Sequence, residues 1–182
     1  MIREHRGTLL AVLLAAAAGA ALEYQLNRPD VPSPPAAAQP PATLPQLELQ
    51  ALDGREVQLP QAWAGRPLLV NFWASWCAPC VAEMAELQRF SAQQPANGTQ
   101  VIGIALDDPA AVASFLQAHP VTYPILLDRP GPNDSSARLG NRAGALPYSV
   151  LVAADGRVLR QRLGPFAAGE IEAWALSGTA PD

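Results

Sequence analysis

Both cysteines of this chain lie in one decapeptide, NFWASWCAPC at residues 71–80, and that placement constrains the fold more than any other feature. Upstream, Arg66-Pro67 leads into LLVNFWA, a run that is apolar but for Asn71 and suits a strand buried on both faces. Downstream, PCVAEMAELQRFSAQ repeats apolar residues at helical spacing through Val81, Met84, Leu87 and Phe90. Strand, cysteine pair and helix follow one another so closely that both thiols are committed to a strand–helix junction. Two thiols at this spacing can close a disulfide, hold half a metal site, or lie idle in a core.

If Cys77 sits at the N-cap or first turn of that helix, its sulfur faces unpaired N–H groups and the positive end of the helix dipole. Both favour thiolate over thiol and bring its pKa below about 8.5. Cys80, one turn deeper, is more covered and less acidic. This asymmetry suits a two-step exchange, in which Cys77 attacks a substrate disulfide and Cys80 then attacks Cys77 and releases the reduced substrate. Pro79 at the second helical position removes a donor that has no intrahelical acceptor. Trp76, beside the nucleophile, either offers an apolar surface to a docking polypeptide or serves as packing, while Trp73 reads as core. Glu83 lies on the same helix as Cys80. Facing inward it would accept a proton or tune Cys80; facing outward it would be a solvated glutamate like Glu86. In GALPYSVLV, 144–152, a proline stands directly before a buried strand. Were the Leu146–Pro147 bond cis, the Leu146 backbone would be left to pair with an extended substrate.

The remaining elements surround this junction. LELQALDGREVQLP alternates apolar and polar residues around Asp53-Gly54, which predicts a hairpin over 47–59. TQVIGIAL, 99–106, is a second buried strand, and Asp107-Asp108-Pro109 is a start signal for a helix over 110–119. VTYPILLD, 121–128, predicts a third strand, and SSARLGN a short helix closing near Gly140-Asn141. YSVLVAADGRVLRQRLG predicts two strands about Asp155-Gly156, and residues 167–177 a final amphipathic helix. Strand–helix alternation makes neighbouring strands parallel, and the closing hairpin adds antiparallel ones. The expected fold class is α/β, a mixed central sheet flanked by helices on both faces.

MIREHRG carries Arg3 and Arg6, and Thr8–Leu22 has no charge. Residues 1–26 therefore read as a signal anchor or signal peptide, with the N-terminus held on the cytoplasmic side. The uncharged run is shorter than the roughly 20 residues of a comfortable span, and Ala18-Gly19-Ala20 offers a cleavage pattern. Tyr24, Gln25, Asn27 and Arg28, in contrast, could extend the span at the interface. Residues 27–46, with proline at 29, 32, 34, 35, 40, 41 and 45, read as a polyproline-II linker reaching up to roughly 60 Å. The folded domain is expected over 47–182. With a formal net charge of −4 and basic residues grouped only at Arg157, Arg160 and Arg162, nothing suggests a nucleic-acid partner. His5 and His119 are the only histidines, which leaves little for a histidine zinc site or a Ser-His-Asp triad.

FWASWCAPC, the helix after it and the X-Pro entering a β-hairpin together resemble the thioredoxin superfamily. More narrowly, they resemble the TlpA/ResA-like exported thiol:disulfide oxidoreductases, over about residues 44–177. Asn71 stands where thioredoxins proper carry a buried Asp, the hairpin at 47–59 is a family addition, and Glu83 occupies the Cys-x-x-Cys-x-x-Glu position. The resemblance implies a thioredoxin-like fold with an added N-terminal β-hairpin. It also implies Cys77 as exposed nucleophile, Cys80 as resolving thiol, and a Glu83 carboxylate that influences the pair. Pro147 would be a cis-proline facing the disulfide, with Leu146 presenting its backbone to the substrate. Two departures stand out. Ala85 follows Met84 where the family helix continues Glu-x-Pro, and Leu-Pro-Tyr-Ser replaces the Gly-x-Pro-Glu-like stretch of members serving cytochrome c maturation.

The expected function is a periplasm-facing thiol:disulfide oxidoreductase that reduces disulfides in exported proteins. Ala78-Pro79 lacks the histidine found between the cysteines of strongly oxidising relatives, which favours a reductant. The resemblance implies a membrane thiol carrier of the DsbD or CcdA type as electron donor, no cofactor, and a tether on the periplasmic side of the inner membrane. The alternatives are a disulfide-donating oxidase and a copper-handling accessory protein that holds Cu(I) on the same two thiols. Zinc would want four ligands.

Overall fold

All six residues of β3 (Leu68–Trp73) are buried, and the rest of the sheet is arranged around this strand. The computed structural model describes residues 41–176 together with Glu23. The expected signal segment, 1–26, and the linker up to residue 40 lie outside the described residues, Glu23 apart. The sheet has seven strands in the order β2-β1-β5-β4-β3-β6-β7. They span Leu47–Ala51 (β1), Glu56–Leu59 (β2), β3, Gln100–Leu106 (β4), Ile125–Asp128 (β5), Tyr148–Val152 (β6) and Val158–Leu163 (β7). β3, β4 and β5 run parallel, and β6 and β7 add antiparallel strands on the β3 side. The N-terminal hairpin pairs β1 with β2 in the register Leu47↔Leu59 and joins the sheet through β1 against β5. Its turn is closed by Gly54 at φ +85°, a left-handed conformation that glycine adopts without steric cost.

Among the residues from 41 to 176, four α-helices connect and cover the strands: α1 (Ala78–Gln93), α2 (Pro109–Ala118), α3 (Ser135–Arg138) and α4 (Glu170–Leu176). α2 starts as its sequence predicts. The Asp108 carboxylate accepts the amides of Ala110 and Ala111 at 2.9 and 3.2 Å, and Pro109 opens the first turn. Asp134 caps α3 in the same way, accepting from Ala137 at 2.9 Å.

The alternation of β3 and β4 sends side chains to two apolar clusters. Leu69, Trp73, Val101 and Ala105 face one, and Leu68, Val70, Phe72, Ile102 and Ile104 face the other. The helices are shared unequally. Residues of α1, α2 and α4 enter the first cluster, whereas the second is closed by Leu139 after α3, the hairpin and Trp63. Each large side chain buried here contributes roughly 1.5–3 kcal/mol by leaving water.

Three boundaries differ from the sequence reading. The strand expected over 121–128 begins only at Ile125. The Thr122 amide is held by the Gln88 side chain at 2.7 Å, and Pro124 has no N–H to give the ladder. The short helix stops at Arg138, before Gly140 at φ +104°. The domain also begins earlier than residue 47. Thr43 bridges to Arg157, the Leu44 amide donates to Gly156 O at 2.9 Å, and Leu44 is buried. Among the described residues no helix is long and apolar enough to cross a membrane.

Candidate active site

β3 ends at Trp73, and α1 begins five residues later with Cys77 as its N-cap. The turn between them is fixed from two sides. The Cys77 amide donates to Ala74 O at 3.1 Å, and the Val81 amide to Cys77 O at 3.1 Å. Ser75 donates its amide and its hydroxyl to Asp107 Oδ2 at 2.8 and 2.6 Å. Burial works against the Asp107 charge, but the bonds from Ser75 and from the Asp108 amide outweigh it and hold that carboxyl below its usual range. Asp107 was read only as part of a helix start; Asp108 does the capping, and Asp107 grips the cysteine loop.

Cys77 and Cys80 are joined by a disulfide with S–S 2.01 Å. Pro79 occupies the first turn of α1, where its missing N–H leaves nothing unsatisfied. Cys77 is 5% exposed and Cys80 fully buried, so the cysteine that the resemblance implies as an exposed nucleophile is itself buried in the disulfide state, where it shows the solvent little more than an edge. Trp73 is fully buried and Trp76 is 70% exposed.

α1 turns Cys80, Glu83, Met84, Leu87 and Phe90 inward. Glu83 therefore faces the core and is 1% exposed, unlike Glu86. It has two donors: Asn71 Nδ2 to Oε1 at 2.7 Å and the Phe166 amide to Oε2 at 3.0 Å. Asn71 lies on the same face of β3 as Leu69 and Trp73, the only polar residue of that strand, and its Nδ2 also reaches Ser149 Oγ at 3.0 Å. Burial pushes the Glu83 carboxyl up to about 7, against the opposing effects of Phe166, Asn71 and the Arg162 charge. Tyr123, buried nearby, has its phenol pushed above the ordinary value by burial and by the Glu83 charge. A carboxyl raised towards neutrality, one turn from Cys80 on the same inward helix face, can take the Cys80 proton once the disulfide is reduced.

The Leu146–Pro147 bond is cis. Asn141 shapes the loop before it, donating to Ala145 O at 2.9 Å and accepting the Ala145 amide at 3.2 Å. Leu146 packs against the cluster that contains both cysteines, and its own amide and carbonyl make no hydrogen bond among the described residues. A second cis bond, Leu59–Pro60, ends the N-terminal hairpin.

The site thus gathers Cys77, Cys80, Glu83 and Leu146 around one cluster, with Trp76 outside it on the surface. Sequence reasoning missed Ser149, the Phe166 amide and Asp107 as site residues. A lone serine in the apolar run YSVLV was a legible sign for the first. No group of three or more His, Cys, Asp or Glu is placed to hold a metal ion among the described residues; Cys77 and Cys80 would offer two thiols to one only after their disulfide is reduced.

Residues 37–174 match the family described as Redoxin. Two relatives show the same extent of likeness. Sporulation thiol-disulfide oxidoreductase A of Bacillus subtilis (strain 168) is 26% identical over 138 residues, covering 74% of this chain and 80% of its own length. Thiol-disulfide oxidoreductase ResA of Bacillus thuringiensis (strain Al Hakam) is 26% identical over 132 residues, covering 71% and 73%. Among solved structures, StoA from Bacillus subtilis superposes with a TM-score of 0.57 at 25% identity, covering 74% of this chain and 98% of that one. A thioredoxin-related protein from Neisseria meningitidis serogroup B gives 0.64 at 27% identity, covering 72% and 98%.

Proposed function

This chain belongs to the Redoxin family, and from that premise we propose that it is a thiol:disulfide oxidoreductase that reduces disulfides in exported proteins. The observation that carries the reading is the Cys77–Cys80 disulfide at the start of α1, with Glu83 buried on the same face as Cys80. The relatives named as thiol-disulfide oxidoreductases support it.

In the reduced protein the Cys77 thiolate, favoured by the N-terminal end of α1, attacks one sulfur of a substrate disulfide. That S–S bond breaks, a Cys77–substrate mixed disulfide forms, and the departing substrate sulfur takes a proton. Glu83 accepts the Cys80 proton, and the Cys80 thiolate attacks the Cys77 sulfur. The mixed disulfide breaks, the second substrate thiol leaves, and the Cys77–Cys80 disulfide remains. Two electrons have passed to the substrate. The oxidised pair is the state described above, and a dithiol donor must reduce it before the next turnover. Trp76 supplies the apolar contact for the incoming chain, while the unpaired Leu146 backbone beside cis-Pro147 receives it as an added strand.

The domain works on the periplasmic side of the inner membrane, tethered by the N-terminal segment. It is fed by a membrane thiol carrier of the DsbD or CcdA type. Titration of the purified chain against glutathione and dithiothreitol buffers tests the direction of electron flow. A potential near about −270 mV supports the reductase reading, and one near about −120 mV assigns disulfide donation instead.

A further inference from the structure

The segment between β7 and α4 touches the site at two points and the outer side of α1 at a third. The Phe166 amide donates to Glu83 Oε2 at 3.0 Å. The Gly164 amide donates to the Pro147 carbonyl at 2.9 Å, and the Gly169 amide to Glu86 Oε2 at 3.1 Å. One side chain grips this segment. Arg162, on β7, donates from Nη1 and Nη2 to the two carboxylate oxygens of Glu170 at 2.6 and 3.1 Å. Its Nη2 also donates to Pro165 O at 2.9 Å, and its guanidinium lies 4.7 Å from the centre of the Phe166 ring. Glu170 in turn accepts the Ala167 amide at 2.9 Å.

This grip differs from the more exposed ion pairs. Arg162 and Glu170 are 26% and 35% exposed, against 77% and 54% for Arg55 and Asp53, and are covered about as well as the pairs Arg89 makes with Glu86 and Glu172. A two-pronged arginine–carboxylate contact fixes geometry as well as charge.

We propose that Arg162 is a positioning residue for the thiol chemistry. Through Glu170 and Pro165 it holds the Phe166 amide on Glu83, and so sets the proton affinity of the carboxylate that serves Cys80. The inference rests on the dithiol reading above.

Cys80 lies three residues before Glu83 on the same inward face of α1, and Glu83 is faced by Asn71 on β3 with Ser149 behind it on β6, Tyr123 ahead of β5, Arg162 on β7 and the Phe166 amide. From α4, Glu170 is paired with Arg162 and Glu172 with Arg89. The Phe166 bond and the Arg162 charge both favour the ionised carboxylate. Loosening the segment withdraws a donor from Glu83, which then binds its proton more tightly.

Infrared difference titration of the oxidised full-length chain reads this directly, with the Glu83 carboxyl band identified by its loss in E83Q. In R162M the midpoint should rise by about one pH unit, a tenfold change in proton affinity. R162K should move it in the same direction but by less, because lysine keeps the charge that favours the carboxylate and loses only the fork, and E170Q should also move it less than R162M does. Thermal melts show which variants fold, and E170Q, which leaves the guanidinium in place, carries the test if R162M does not. An unchanged midpoint in the folded variants overturns the proposal. So does a midpoint raised in R162M but unaltered in R162K, which would mean that charge alone is acting. Failure of the underlying reading looks different: the band would shift as expected in a chain that reduces no disulfide substrate.

Discussion

On the Cys77 side of the disulfide stands Trp76, 70% exposed; on the Cys80 side stand Asn71, Glu83 and Ser149, none more than 1% exposed. Only Ala78 and Pro79 lie between the two cysteines. The first helical turn passes from a surface that can meet another polypeptide to a polar pocket closed to water. On the proposed mechanism, substrate contact and proton transfer, which want opposite solvents, fall at opposite ends of one bond. The glutamates of α1 repeat the contrast. Burial raises the Glu83 carboxyl to about 7, whereas Arg89 and the Gly169 amide hold the Glu86 carboxyl below its usual range.

The largest effects should come from breaking the bond itself. Cys77→Ser and Cys80→Ser should each lower turnover of a disulfide substrate by ~10³-fold or more, because a full cycle needs both the attack by Cys77 and the release by Cys80. A dithiol-dependent insulin reduction assay checks this. Next comes the floor of the buried region. Trp73→Ala removes a fully buried ring that packs on Phe115, with centroids 5.3 Å apart. It should cost about 3–5 kcal/mol in denaturant melts.

Glu83 gives a pH test. Burial raises its carboxyl from the ordinary 4.5 to about 7 in the folded chain, so between these values the folded chain binds more protons than the unfolded one. Burying the charge therefore costs nothing below the lower value, and the cost is complete above the upper. Stability of the oxidised wild type should fall, relative to E83Q, by up to ~3 kcal/mol as pH rises through this window. Melts of both proteins at matched pH measure the difference. In rapid-mixing assays, E83Q should also slow the Cys80 step by about 10²-fold and lose the rise in rate near neutrality. The smallest effect belongs to the exposed region. Trp76→Ala should leave stability within about 0.5 kcal/mol while raising KM for a polypeptide substrate several-fold. A stability loss as large as that of Trp73→Ala would erase the contrast.

How much of this was legible follows from where the partners lie. The junction of β3 and α1, the burial of Trp73 and the inward face of α1 follow from local periodicity, since strand alternation and helical spacing act over neighbouring residues. The Asp108 cap and the hairpin turn at Gly54 are equally local. Ser149 is 78 residues from Asn71, Phe166 is 83 from Glu83, and Asp107 is 32 from Ser75. Periodicity carries no information at such separations; these contacts exist because the sheet order sets β3 between β4 and β6. Val121–Pro124 misled for a related reason. Its composition is that of a strand, but Gln88, on α1, takes the Thr122 amide that a ladder would need.

Trapping the first step tests the central claim most directly. The two single-serine variants would each be mixed with a peptide disulfide and resolved by mass spectrometry. Cys80→Ser, which keeps the outward sulfur, should accumulate a mixed disulfide through Cys77, and Cys77→Ser should remain unmodified. Equal or greater trapping on Cys80 in the Cys77→Ser protein would contradict the division of the site into an outward nucleophile and an inward resolving thiol.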